Sequence, residues 1–190
     1  MNLRLVFAVS LAALCGTAGA HAEGWTASVL GGSTWSPHLS VGGVPNAVDN
    51  GFNAGGRLGY DWGDELYVPN LSTDLDLFYT QSHFTGTQAR LSSLSIMGNL
   101  IYHVDLNLPV GVYGGAGAGA VRTMVDSSLV DDGSTVFGWQ AIGGVDYQFT
   151  PEAKLFAEYR YLNAHDANIG PYHGVGDTSN NVSVGLKFDL

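Results

Sequence analysis

The chain has almost no cysteine, few charges, fewer bases and no long hydrophobic run, and each shortage removes a class of protein. Cys15 is the only Cys in 190 residues, so no disulfide framework can supply stability. Seven Lys and Arg face seventeen Asp and Glu, for a net charge of −10; one of the bases, Arg4, belongs to the N-terminal leader. That balance repels polyanions, and no nucleic-acid partner is expected. The apolar run over residues 5–14 is too short for a transmembrane helix. No later segment carries helical periodicity. Charged residues make up 13% of the chain, about half the usual share of a soluble domain. Something other than water therefore covers part of this surface.

What is present begins with the leader. Arg4, the apolar run and the small residues ending in Ala18-Gly19-Ala20 or Ala20-His21-Ala22 predict a secretory signal peptide over 1–22, cleaved after Ala20 or Ala22. Leu14 stands where a lipid-modified cysteine would be preceded by Ala, Gly or Ser, so Cys15 is expected to leave with the leader. Residues 23–190 hold no Pro/Ser-rich linker or charge block and read as one domain.

The stretch LFAEYRYLNAHD at 155–166 sets Leu155, Ala157, Tyr159 and Tyr161 against Glu158 and Arg160, a period of two that makes a strand with one apolar and one charged face. The same alternation recurs. It runs over 25–35 and, unbroken, over 52–62, where Arg57 and Asp61 oppose Leu58, Tyr60 and Trp62. It continues over 71–84, with Asp74 and Asp76 opposite Leu75 and Leu77, and over 93–104. It returns over 137–149, with Asp146 opposite Val145 and Tyr147, and over 180–190, with Lys187 opposite Leu186 and Phe188. The segment VGVYGGAGAGAVRTMV (110–125) is also a strand, but its Gly/Ala alternation leaves the facing open. Longer polar connections at 36–51, 85–89, 126–135 and 163–179 alternate with tighter ones at 63–70, 105–109 and 150–152. Eight strands of this length, with short turns at one end and long loops at the other, predict an all-β fold: an eight-stranded antiparallel up-and-down transmembrane β-barrel.

Aromatic residues on the apolar face gather near strand ends. Trp25, Tyr60, Trp62, Tyr102, Tyr147 and Phe188 lie toward the inner end, and Trp35, Phe52, Tyr79, Phe137 and Tyr161 toward the outer. Two girdles at the lipid–water interfaces account for this. A soluble lipocalin-like barrel would instead turn its apolar face inward and expose Arg57, Asp74, Asp76, Glu158 and Arg160. If Tyr159 and Tyr161 face lipid, parity sends Arg57, Asp74, Asp76, Asp146, Glu158, Arg160 and Lys187 into the lumen. Charges in so narrow an interior must pair.

EYRY at 158–161, a polar loop and the terminal NNVSVGLKFDL together resemble the last hairpin of the small outer-membrane β-barrel family of Gram-negative bacteria, which includes the transmembrane domain of outer membrane protein A and its Opa-like relatives. The likeness implies a lumen plugged by an internal charge network, insertion by the barrel-assembly machinery, and outer-membrane lipids as surroundings. It also implies a C-terminal assembly signal, here Val184, Leu186, Phe188 and Leu190. The family's chains usually end in an aromatic; this one ends in Leu190, with Phe188 two residues back. The expected role is a monomeric structural or surface barrel whose outer loops meet host or environmental ligands, with a lipid-modifying barrel enzyme and a narrow pore as alternatives.

No catalytic, cofactor or metal site is expected. Ser82 and His83 are adjacent on a strand and point to opposite faces, so they cannot form a nucleophile–base pair. His165 and Asp166 read as a solvated loop. His38, Asp49, His173 and Asp177 fall in the two longest loops without a metal-ligand spacing. GVYGGAGAGA lacks the strand–loop–helix context of a phosphate cradle and reads as room for packing in a narrow lumen.

Overall fold

The computed structural model describes residues 24–41, 44–46, 50–63, 69–83, 90–104, 106, 108–126, 131–169 and 172–190. The leader expected at 1–22 lies outside them. The described residues form nine strands: β1 (Trp25–Val41), β2 (Val44–Asn46), β3 (Gly51–Asp61), β4 (Leu71–His83), β5 (Arg90–Val104), β6 (Val110–Asp126), β7 (Asp131–Thr150), β8 (Ala153–Ile169) and β9 (Tyr172–Asp189). Each pairs antiparallel with its neighbour in chain order, apart from the short β2, which folds back on β1. β1 also pairs with β9, from Thr26↔Asp189 to Ser40↔Gly176, which closes eight long strands into a barrel. The end that carries Trp25, Asp189 and the turn at Pro151 is called inner here, and the opposite end outer.

The outer ends of the strands are longer than the apolar alternation indicates. β1, β7, β8 and β9 continue through segments read from the sequence as loops, and β2 lies inside the connection expected at 36–51. Backbone pairing needs no apolar side chain, so a ladder can run on past the point where hydrophobic alternation stops. The β1–β9 register shifts between Trp35 and His38, at Pro37, which has no N–H to give a ladder and favours a bulge. His165 and Asp166 consequently lie within β8 and not in a loop.

Parity along the strands gives one polar, buried face toward the lumen and one apolar face outward. Leu58, Leu75, Leu77, Ile96, Leu100, Val145 and Val184 are exposed on the outside. The facing of β6, undecided in the sequence, is settled by Tyr113, Val121 and Thr123, which are buried in the lumen, and by Arg122, which is exposed outside. The Gly/Ala alternation has a packing cause. A Cβ at Gly115 would strike Ile101, one at Gly117 would strike Asn99, one at Gly144 the Tyr113 ring and one at Gly185 the Phe156 ring. Each bulky lumen residue thus lies over a glycine of the neighbouring strand, which is how so narrow a barrel reaches interior packing density.

Candidate functional site: the lumen charge cluster

β3, β4 and β8 bring five charged side chains together at mid-lumen, because Arg57, Asp74, Asp76, Glu158 and Arg160 share inward parity. Arg57 pairs with Asp76 by register on β3 and β4, and its Nε donates to Asp76 Oδ1 at 2.7 Å. Its Nη2 donates to Glu158 at 2.9 Å across the barrel, and its Nε lies 3.6 Å from Asp74. Arg160 Nη2 donates to Asp76 Oδ2 at 2.7 Å and to Glu158 Oε1 at 2.9 Å. Tyr113 gives Glu158 a further hydrogen bond at 3.1 Å. Asp76 and Glu158 are therefore each held by both arginines.

The surroundings exclude water from Arg160, Asp76 and Glu158. Arg160 and Asp76 are 1% exposed and Glu158 is 3% exposed. The Arg160 guanidinium carbon lies 4.1 Å over the Phe78 ring; its Nε and Nη1 have no hydrogen-bond partner among the described residues, and the ring face supplies electrostatic compensation instead. Leu30, Phe78, Ile101, Tyr113, Ile142 and Phe156 form an apolar collar around the cluster. Ion pairs in so dry a place are strong only while every partner is present, since each carries a large desolvation cost.

Asp146 and Lys187 do not join this cluster. With His103, Asp74, Lys154 and Tyr113 they line a cavity of about 20 Å³ on its inner side, room for about one water molecule. Lys187 and Lys154 stand directly opposite each other on β9 and β8, a repulsive arrangement for two bases.

Ser72, His103 and Asp146 also meet here, a grouping that reading along single strands could not reveal. Ser72 Oγ lies 3.3 Å from His103 Nε2, and His103 Nδ1 lies 3.9 Å from Asp146. The second distance is too long for a hydrogen bond, and Ser72 is 1% exposed, so its hydroxyl has no room to meet an acyl group in this conformation. The signal that could have found the trio is register: Ser72 and His103 sit diagonally on β4 and β5, where Leu71 pairs with Tyr102. Among the described residues no group of three or more His, Cys, Asp and Glu could hold a metal ion. The side chains of His38, His83, Asp166, His173 and Asp177, and the whole of Asp49, lie outside the described residues.

On the outside the aromatic residues touch one another in two bands. Trp25, Tyr60 and Trp62 stack edge to face at the inner end, with centroids 5.4 and 4.8 Å apart, and Tyr102, Tyr147 and Phe188 are exposed there. Phe52 packs on Tyr79 and Tyr161 on Trp139 toward the outer end, where Trp35 packs on Tyr159 and Phe137 on His165. Trp139 and Tyr159 thereby extend the outer band beyond the residues the sequence indicates. Val184, Leu186, Phe188 and Leu190 face outward along the end of β9, and Leu190 N–H donates to the Trp25 carbonyl at 3.0 Å.

A closed antiparallel barrel with an apolar exterior, a charged and packed lumen and no described helix is the architecture of small outer-membrane barrels. The chain belongs to the outer membrane protein beta-barrel domain family, whose model matches residues 7–188. It is similar in structure to Neisserial surface protein A, with 23% identity and a TM-score of 0.64, over 87% of this chain and 96% of that one. It is also similar to the outer membrane protein OprG of Pseudomonas aeruginosa, with 19% identity and a TM-score of 0.54, over 90% and 98%. A third likeness is to Ail, the attachment invasion locus protein of Yersinia pestis, with 17% identity and a TM-score of 0.50, over 87% and 99%. These likenesses establish the fold. No curated protein matches the sequence.

Proposed function

We propose that the protein is a closed, monomeric structural and surface barrel of the outer membrane, exported by a cleaved leader and inserted by the barrel-assembly machinery, which reads the outward residues at the end of β9. Its outer loops are the surface left for host or environmental ligands. One observation carries the closed state: Asp76 and Glu158 each bind both Arg57 and Arg160, inside a collar that includes Phe78 and Phe156. Eight strands leave a lumen that side chains can fill, and here a dry ion-paired layer spans it. Ser72 is too shielded to favour a hydrolytic role.

The test is conductance in planar bilayers, paired with incubation of the folded protein with radiolabelled lipid A and phospholipid. The wild-type barrel should pass no small-ion current and leave both lipids intact, whereas Glu158→Gln or Arg160→Gln should open a measurable current. Steady wild-type conductance would make the protein a pore, and lipid turnover would make it an enzyme.

A further inference from the structure

Among the described side chains, Arg122 is the only formally charged one on an outward-facing position of the strands. It is exposed and has no ion-pair or hydrogen-bond partner among the described residues. A charge on this face is costly at mid-bilayer and tolerable only near an interface. From Val110, which pairs with Tyr147 of the inner band, to Arg122 the strand climbs about 30 Å along the barrel axis at the usual rise and tilt. Arg122 pairs with Thr135 of β7, and Ala120 pairs with Phe137. The guanidinium therefore sits one outward position beyond Phe137 of the outer aromatic band, at the depth where headgroups begin.

Its neighbours form a shelf. Phe137, 56% exposed, packs edge to face on His165 with centroids 5.9 Å apart, and Trp139 packs on Tyr161 at 5.5 Å. Aromatic rings at this depth offer apolar flanks to acyl and sugar groups and keep their polar edges in the interface. A guanidinium without a partner among the described residues, on a long apolar stem, is suited to a phosphate, which it binds through two parallel N–H···O bonds. The protein's own charge is strongly negative, so this cation, alone among the described outward side chains, stands apart from its general field.

We infer that Arg122, with the Phe137, His165, Trp139 and Tyr161 shelf, docks an outer-leaflet lipid through a phosphate on its headgroup. The inference rests on the membrane reading above and adds a ligand to it. The geometry commits to a lipid rather than free phosphate, because the aromatic shelf lies on the membrane side of the guanidinium and needs an apolar partner.

The full barrel, refolded into phosphatidylcholine vesicles containing diphosphoryl lipid A, would be extracted in mild detergent, and the lipid retained per barrel measured by native mass spectrometry. Wild type should retain diphosphoryl lipid A in preference to its dephosphorylated form. Arg122→Gln should lower that retention about tenfold, the loss expected for one charge-assisted contact, and Arg122→Lys should keep part of it. Equal retention by wild type and Arg122→Gln, or equal retention of the two lipid forms, overturns the inference. Heat-modifiable migration of the same samples separates the two readings: barrels that fold in vesicles without the lipid preference sink only the lipid site, and chains that do not fold there sink the membrane reading.

Discussion

The charged and the neutral halves of the lumen's polar set are buried by different means. At mid-lumen and below, Arg57, Asp74, Asp76, Glu158 and Arg160 share ion pairs of 2.7 to 3.6 Å. Beside and above them, Gln140 donates to Asn99, the register partner of Asp74, Ser93 meets Thr123, Ser183 donates to Asn53, and Met97, Val121, Leu162 and Ala164 pack together. Neutral pairs cost little to desolvate and can be exchanged for apolar groups of the same shape. A buried charge network tolerates no single loss, because removing one partner strands the other. The charged half should therefore be brittle and the neutral half forgiving.

The sharpest way to break that contrast is at Arg160. Arg160→Gln or Glu158→Gln should each cost about 3–5 kcal/mol, measured by urea unfolding from lipid vesicles, and the double change should cost less than the sum. Strict additivity would mean that the charges are uncoupled. The exterior sets a second scale: Lys in place of Leu77 or Ala141, near mid-strand, should cost about 2–4 kcal/mol, and Lys in place of Trp35 or Tyr161 less than about 1 from charge alone. Equal losses at both depths in the same assay would remove the bilayer from the explanation.

Packing lies between these extremes. Gly185→Ala puts a methyl group into the Phe156 ring and the Val29 carbonyl, and should cost about 1–3 kcal/mol as overpacking; midpoints shifted by Gly185→Ala but not by Gly143→Ala, where a Cβ meets nothing, would locate the effect in the lumen. The smallest change is expected in the neutral half. Asn99→Leu combined with Gln140→Leu should leave stability within about 1 kcal/mol of wild type, and a loss as large as that of Arg160→Gln would erase the distinction between the halves.

Much of this arrangement is legible in the chain itself, for reasons that also mark where reading stops. A period of two fixes faces, so the inward positions of Arg57, Asp76, Glu158 and Arg160 follow from Leu58, Leu77, Tyr159 and Tyr161 beside them. β6 resists that logic because Gly and Ala carry no facing signal; only the burial of Tyr113, Val121 and Thr123 and the exposure of Arg122 reveal it. Pairing partners are a matter of register between distant strands. Seven inward charges could be named, but not that Asp146 and Lys187 stay out of the cluster, or that His103 sits beside Ser72. The outer extensions of β7, β8 and β9 escaped because ladder hydrogen bonds leave no hydrophobic trace.

The β1–β9 seam has a consequence for the order in which the molecule can form. Its partners, such as Thr26 and Asp189, stand at opposite ends of the domain, so closing it carries the largest loop-closure entropy of any pairing in the sheet. Neighbouring hairpins, being local, can form before it. Arg57 and Asp76 come from the β3–β4 hairpin, and Glu158 and Arg160 from β8 in the last. Their mutual contacts become available only as the ends of the sheet approach, and until then each half carries charge that has no counterpart across the barrel. The same side chains that hold the finished lumen shut therefore oppose the survival of an open, half-assembled sheet in lipid.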